Sequence, residues 1–407
     1  MAYDSGNPNS HPLKIGFRVG TFPKLSETFI LSQIKGMVER GHQVSILADQ
    51  RAGIDEVSYI PAGLHDVQYT RPSQVLLEHL RSNLPYRVRK YLTVRKEKAF
   101  CRNNDVIVCN FGWFGAQMHD SSKRLKMRPN ILTIFHGDDM SRALLANGYH
   151  PYDDLIESDE RLLPVSEFWQ RRLLEFGANP ANITIHRMGV NVDEFTFAPR
   201  ARTQGEPLRL VTVCRFVEKK GLEYAIRGIA KALETEPGIG IQFELIGSGP
   251  LEPSLVQFVS ELGLEDHVTF SGSMPHQDIA RALDRSDALI LPSVVSSDGD
   301  MEGIPLSLME AMASGVCVIS TYHSGIPELI EHGVSGLLAE ERNVDEISEH
   351  ILTLARDPKL ASKLARNARM VIENKFNSRI LNDQLEQICR SALRKPETPK
   401  KAEPSRG

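Results

Sequence analysis

Two glutamates, Glu302 and Glu310, are separated by seven residues within Asp298-Gly-Asp-Met-Glu-Gly-Ile-Pro-Leu-Ser-Leu-Met-Glu310-Ala-Met-Ala-Ser-Gly315, just after an apolar run ending near Leu291. Pro305 suits the first position of a helix, and Gly303 permits close backbone approach. The amides of Gly303, Ile304, Leu306 and Ser307 are then expected as orphan donors with the positive end of a helix dipole behind them. Such a turn binds anions. Glu302 lies before the helix and Glu310 about two turns into it, so the carboxylates reach different ends of a ligand whose diphosphate sits between them. Carboxylates accept from hydroxyls, which makes a sugar and a ribose natural partners. Two solvated glutamates on an amphipathic helix are the bland alternative.

A second anion feature weighs against that alternative. In Cys214-Arg215-Phe-Val-Glu-Lys219-Lys220-Gly221 an arginine at a strand end is followed by Lys-Gly at a helix start, as suits phosphate at the carboxyl edge of a sheet. His136, in Phe135-His-Gly-Asp-Asp139, would alone read as a core histidine, but its place at a strand's carboxyl end favours a site. The turn Gly247-Ser-Gly249-Pro250 reads equally as donor contact or as ordinary punctuation. Ser273-Met274-Pro275 reads equally as backbone contact to a nucleobase or as plain loop. Asp298-Gly-Asp300 has the form of a DxD metal motif, yet Arg215, Lys220 and the helix N-terminus already supply positive charge and would repel a cation. No metal and no cofactor is expected, and an acidic loop that rejects wrong anions is the preferred reading.

Between Arg81 and Arg102 eight cations face one anion, on a chain whose net charge is -4. A solvated helix face is the bland reading; a patch for anionic lipid or a lipid-diphosphate acceptor is the preferred one. The overall balance, with 25% charged residues, excludes a strongly basic nucleic-acid binder. Cys101, Cys109, Cys214, Cys317 and Cys389 are scattered without a CxxC pair, which argues against disulfides or zinc. The first residues lack the basic and apolar regions of a signal peptide, and no stretch reaches about 18 apolar residues. A cytoplasmic protein is expected, peripheral at the inner face of the plasma membrane if the basic patch acts.

These residues need a scaffold that delivers strand ends to one place. From Lys14 short β-branched runs alternate with helix-length segments, with strands expected at Lys14–Val19, Val44–Ala48, Asp105–Asn110, Ile131–His136 and Arg161–Val165. The pattern restarts at Leu208–Val213 and continues through Phe243–Ile246, Val268–Ser271, Ala288–Leu291 and Val316–Ser320. Two doubly wound α/β domains follow, each with a parallel sheet covered on both faces. The expected division is an acceptor-binding domain over 13–195, a linker over 196–207, a nucleotide-sugar domain over 208–377, a closing helix over 378–395 and a disordered tail over 396–407. The closing helix rests on Leu381, Leu385, Ile388 and Ala392 at helical spacing.

Taken together the motifs resemble the retaining glycosyltransferases of family four, with the GT-B fold, over nearly all of residues 14–395. The resemblance implies that Glu302 contacts the donor sugar, Glu310 the nucleotide ribose, and Arg215 and Lys220 the diphosphate, with His136 against the donor sugar. Gly189-Val-Asn-Val-Asp193 resembles the family's segment leading into the linker. Pro23-Lys-Leu-Ser26-Glu27-Thr28-Phe29-Ile30, with Asp298 to Pro305, is similar to transferases of colanic-acid-type exopolysaccharide assembly, implying a bacterial enzyme. Many family members carry Gly-Gly where this chain has Ser26-Glu27, a pair that suits acceptor contact instead. The implied reaction moves a hexose from a UDP-sugar, or a GDP-sugar, to a glycan or polyprenyl-diphosphate-linked acceptor with retention of configuration. A nicotinamide dehydrogenase lacks its G-x-G-x-x-G here. A sugar-nucleotide epimerase of similar fold and a non-catalytic sugar-nucleotide-binding module remain as alternatives.

Overall fold

The computed structural model describes residues 11–24, 27–52, 60–71, 84–148, 150–198, 202–203 and 205–393. Ser26 and the segment 396–407 lie outside the described residues.

Two six-stranded parallel sheets form the molecule. The first holds β1 (Lys14–Phe22), β2 (Gln43–Arg51), β3 (Asp66–Tyr69), β4 (Val106–Asn110), β5 (Asn130–Phe135) and β6 (Arg161–Pro164), in the order β3-β2-β1-β4-β5-β6. The second holds β7 (Leu208–Val213), β8 (Ile241–Ile246), β9 (Val268–Gly272), β10 (Ala288–Ile290), β11 (Cys317–Thr321) and β12 (Leu337–Ala339), in the order β12-β11-β10-β7-β8-β9. Counted from its own first strand, each sheet has the same order, 3-2-1-4-5-6, so each has one point where the winding reverses: between β1 and β4, and between β7 and β10. Loops leaving the carboxyl ends of the strands on either side of such a point diverge and leave a crevice.

The central strands are buried on both faces, as helix-covered parallel strands must be: every residue of β4 and of β11 is buried. Residues Ile15, Phe17, Val108 and Ile134 anchor the first core, and Leu210, Phe243, Ile290 and Ile319 the second. The expected strands are present, with ends shifted by a few residues. Two strands have no expectation above, β3 and β12, and both are short edge strands. The four residues of β3, Asp-Val-Gln-Tyr, include none that is fully buried, so no apolar run marks them.

Helix Ser378–Ala392 closes the fold by returning to the first half. Its Leu385 and Cys389 are buried in the first core, while Phe376, just ahead of it, is buried with Val211, Leu289 and Val318 of the second sheet. The crossing is pinned where Val190 donates to the Phe376 carbonyl at 3.0 Å and Ser378 donates back to Val190 at 2.9 Å. Against helix Thr28–Glu39, Asn382 Nδ2 donates to the Ser32 carbonyl, and Gly36 must lack a Cβ because one would fall 2.3 Å from that amide.

Candidate active site

The reversal point of the second sheet gathers the charged residues. The loop after β7 carries Arg215 and Lys220; the loop after β10 carries Glu302. Gly221, at φ 64°, lets the first loop turn into helix Leu222–Thr235 against Pro292, where a Cβ would lie 1.9 Å from the Pro292 carbonyl oxygen. Lys220 Nζ then meets Glu302 Oε1 at 2.9 Å, with both side chains largely out of solvent. Burial opposes the charge on Glu302, but Lys220 and, behind it, Lys219 prevail and bring its carboxyl down to about 2. Burial likewise opposes the Lys220 proton, and Glu302 raises it above the ordinary lysine value. Arg215 is exposed, without an ion-pair partner among the described residues, and close enough for its charge to disfavour the Lys220 proton.

Helix Leu306–Ser314 follows Glu302. Pro305 occupies the position before its first turn, at ψ 126°, rather than the first helical position expected from the sequence: the chain is still extended there as it leaves the buried Ile304. The amides of Gly303, Ile304, Leu306 and Ser307 have no acceptor among the described residues, as the orphan donors of a helix start do. Among the described residues Glu310 has no cation paired with it. Burial, followed by Glu194 of the segment Val192–Glu194, pushes its carboxyl up to about 7.

The first sheet supplies the opposite wall. His136 leaves β5 and is buried, its ring between Phe29 at 4.9 Å and Phe111 at 4.6 Å between centroids. Burial, then His186, lowers its pKa to about 3, so the imidazole is neutral. Its Nε2 bonds Asn110 Oδ1 at 3.1 Å, and Nδ1 has no partner among the described residues. Phe111 holds φ 83°, a left-handed backbone uncommon for any residue but glycine, which turns its ring onto His136. Asp139 fixes the loop, accepting from the His136 amide at 3.0 Å and from Gly112 at 2.8 Å.

The two walls meet at these loops. A Cβ on Gly137 would stand 2.8 Å from the Met301 carbonyl oxygen, and one on Gly303 would stand 3.1 Å from that of His136. His136 and the Glu302 loop are therefore in contact across the cleft. Asp298 and Asp300 take part in this meeting: Asp300 pairs with Lys219 at 3.0 Å, and Arg142, from the first half, lies 3.6 Å from Asp298 and 3.9 Å from Asp300.

The remaining candidates sit further out. Gly249 packs against the loop after β7, where a Cβ would be 2.4 Å from the Phe216 carbonyl oxygen, which accounts for a glycine without any ligand. Met274 packs partly buried on the core beneath helix Leu306–Ser314, and Ser273 shares a hydroxyl bond of 2.9 Å with Ser248. Glu27 is paired with Lys24 at 2.5 Å. Phe29, Asn110, Phe111, Asp139 and His323 escaped the reading of the sequence as site residues. Only their packing around His136 and Glu302 marks them, although Phe111 and Asp139 adjoin strand ends that the sequence identifies.

Residues 26–194 match the family described as Glycosyltransferase Family 4, and residues 194–371 match Glycosyl transferases group 1. The colanic acid biosynthesis glycosyltransferase WcaL of Escherichia coli (strain K12) is 32% identical over 412 residues, covering 93% of this chain and 100% of its own. The amylovoran biosynthesis glycosyltransferase AmsK of Erwinia amylovora is 33% identical over 411 residues, covering 92% of this chain and 99% of its own. HepE of Anabaena, solved with UDP, superimposes with a TM-score of 0.74 at 19% identity over 93% of this chain and 100% of its own, and has also been solved with UDP-glucose. The chain thus belongs to the family 4 glycosyltransferases of exopolysaccharide type, built on the GT-B fold.

Proposed function

We propose that the enzyme transfers a hexose from a nucleotide-diphosphate sugar to a glycan or polyprenyl-diphosphate-linked acceptor in exopolysaccharide biosynthesis, with retention of configuration. The observation that carries this reading is the buried Lys220–Glu302 pair beside the open amides of Gly303 to Ser307, facing the neutral His136. A UDP-sugar is favoured over a GDP-sugar; the complexes of HepE with UDP and UDP-glucose support that choice.

As the donor bond breaks, charge grows on the leaving diphosphate. Arg215, Lys220 and the amides around Ile304 stabilise it, and Lys220 is already held in place by Glu302. A diphosphate oxygen takes the acceptor's proton as the acceptor oxygen attacks the same face of the sugar. Glu302 orients the sugar, His136 packs beside its ring, and Glu310 accepts from the ribose; Gly249 and Met274 border the nucleotide. Glu27 is assigned to the acceptor, together with Ser26, which adjoins it in sequence. With this much positive charge at the phosphate, turnover is expected to survive chelation by EDTA.

Helix Tyr86–Asn103 is the surface assigned to the membrane. Its second half buries Phe100 and Cys101, while its first half exposes Tyr86 at 67%, Tyr91 at 65% and Leu92 at 39% among Arg87 and Lys90. Aromatic and aliphatic groups interleaved with cations suit an anionic lipid interface. No helix among the described residues is long and apolar enough to cross a membrane. Attachment at the inner face of the plasma membrane is the corresponding expectation. Charge reversal of Arg87, Arg89 and Lys90 should release the enzyme from vesicles containing phosphatidylserine, and unchanged sedimentation would make the helix a solvated face.

The deciding experiment follows UDP or GDP release from a panel of sugar nucleotides with a lipid-linked acceptor, and reads the first-formed product by NMR. A β-linked product from an α-linked donor would overturn retention, and conversion of the sugar nucleotide without acceptor would point to an epimerase.

A further inference from the structure

We propose that His323, backed by Glu341, is a positioning residue for sugar transfer, acting by holding the main chain of Glu302. The inference rests on the reading of Glu302 as the donor-sugar ligand and adds the device that aims it. His323 follows β11 and is fully buried. Its Nε2 accepts the Glu302 amide N–H at 3.0 Å, so that nitrogen carries no proton. Its Nδ1 then carries the proton and donates it to Glu341 Oε1 at 2.6 Å. Glu341 is itself fixed, accepting the Val295 amide at 2.9 Å and lying 3.4 Å from the Arg342 guanidinium. The next residue, Ser324, donates its hydroxyl to the Glu302 carbonyl at 2.7 Å.

Both polar atoms of the Glu302 main chain are thus gripped by consecutive residues of one loop. A histidine that merely filled the core would need no acceptor aimed at this amide and no carboxylate to set its tautomer. The grip lies directly behind the atoms that matter, because the Glu302 carboxylate reaches Lys220 and the next amides, Gly303 and Ile304, form the anion turn. Losing it leaves a buried N–H unpaired and lets the loop shift, and a displacement of about 1 Å at a reacting centre can lower turnover about 10²-fold.

The test compares His323→Leu, His323→Gln, Glu341→Gln and Glu302→Ala with the wild-type enzyme. The readouts are kcat, the donor KM, Tm, and binding of whichever of UDP or GDP the wild type binds. His323→Leu should lower kcat by about tenfold to a hundredfold, with a smaller loss of nucleotide binding, because Arg215 and Lys220 hold the diphosphate alongside the Gly303 and Ile304 amides. His323→Gln, whose amide can accept from Glu302 and donate to Glu341, should recover much of that loss, and Glu341→Gln should show the smaller defect. Long-range ¹H–¹⁵N spectra of the wild type should show one buried histidine protonated at Nδ1. Turnover of His323→Leu within about twofold of wild type, an Nε2-protonated ring, or equal loss in the Leu and Gln variants would overturn the positioning role. If His323→Leu is harmless while Glu302→Ala abolishes turnover, the positioning role alone fails; if Glu302→Ala is harmless, the proposed function of this site fails.

Discussion

The two walls of the cleft bury titratable groups beyond strand ends, His136 after β5 and Glu302 in the loop after β10, and treat them in opposite ways. On the second sheet Glu302 is held charged, with its carboxyl at about 2, because Lys220 stands 2.9 Å away and outweighs burial. On the first sheet His136 is held neutral, with its pKa at about 3, because burial acts on it without any anion to oppose it. Burial opposes the charge in both places, and the neighbouring charge decides the outcome. One wall is therefore suited to a developing negative charge and the other to an uncharged ring. Glu310 lies between these cases: burial, followed by the charge of Glu194, raises its carboxyl to about 7, with no cation paired to it among the described residues.

Removing the partner on the charged wall should have the largest effect. Lys220→Met leaves Glu302 buried and uncompensated, so turnover should fall by about 10² or more, and stability by about 3–5 kcal/mol. The pH dependence has a definite sign. Glu302 titrates lower in the folded chain than its ordinary 4.5, so its stabilising contribution is present above about 4.5 and is lost as pH falls toward 2. Urea unfolding of wild type and variant between pH 3 and 7 would show the gap narrowing at the acid end, and a constant gap would mean that the pair is not the cause.

On the neutral wall a smaller loss is expected, because His136 packs and positions without carrying charge. His136→Phe should lower kcat by about tenfold. Its stability signature runs through a different window. The unfolded histidine binds a proton below its ordinary 6.5 while the folded one resists to about 3, so the native protein loses stability as pH falls through that range. The variant should lack this share of acid sensitivity; identical acid profiles would mean that His136 is not held neutral.

Glu310→Gln sharpens the comparison from the middle. Since the folded carboxyl titrates near 7, above its ordinary 4.5, burying its charge is unfavourable at pH 8 and harmless at pH 5. The glutamine variant should gain roughly 2–4 °C in Tm for each kcal/mol relieved at pH 8, and little at pH 5, while the proposed ribose contact weakens because one of two acceptor oxygens becomes an NH2 donor. A Tm gain of equal size at both pH values would reject the titration. The smallest effect belongs to Asp298→Asn: its pairing with Arg142 is a half-exposed one at 3.6 Å, so stability should change by less than about 1 kcal/mol. A larger loss would make that pair a principal tie between the walls.

Much of the fold was legible because its signals are local. Buried parallel strands are runs of β-branched residues, and the restart at Leu208 announces a second sheet without knowledge of the first. Of the strands not expected, β3 has no buried residue and so no apolar run, while β12 is a buried run of only three residues, Leu337–Ala339; pairing with a neighbour places each, Val67 of β3 against Ile46 of β2 and Leu338 of β12 against Ser320 of β11. Within the candidate site, Glu302, Glu310, Arg215 and Lys220 stand out because they flank strand ends and a helix start. Pro305 was misplaced by one position, an error within the ordinary spread of helix boundaries.

By itself the sequence determined which strand ends carry charge, that there are two such sheets, and that an amphipathic helix follows them. It did not determine that Lys220 pairs with Glu302 rather than standing free for an anion, that Asn110, Phe29 and Phe111 enclose His136, or that His323 grips the Glu302 amide. Those pairings join residues 21 to 107 positions apart in the chain. Sequence spacing constrains contacts within one element, because helix and strand periodicities are fixed. Contacts between loops leaving different strands depend on sheet order and on how the two halves approach, and only the tertiary structure decides them.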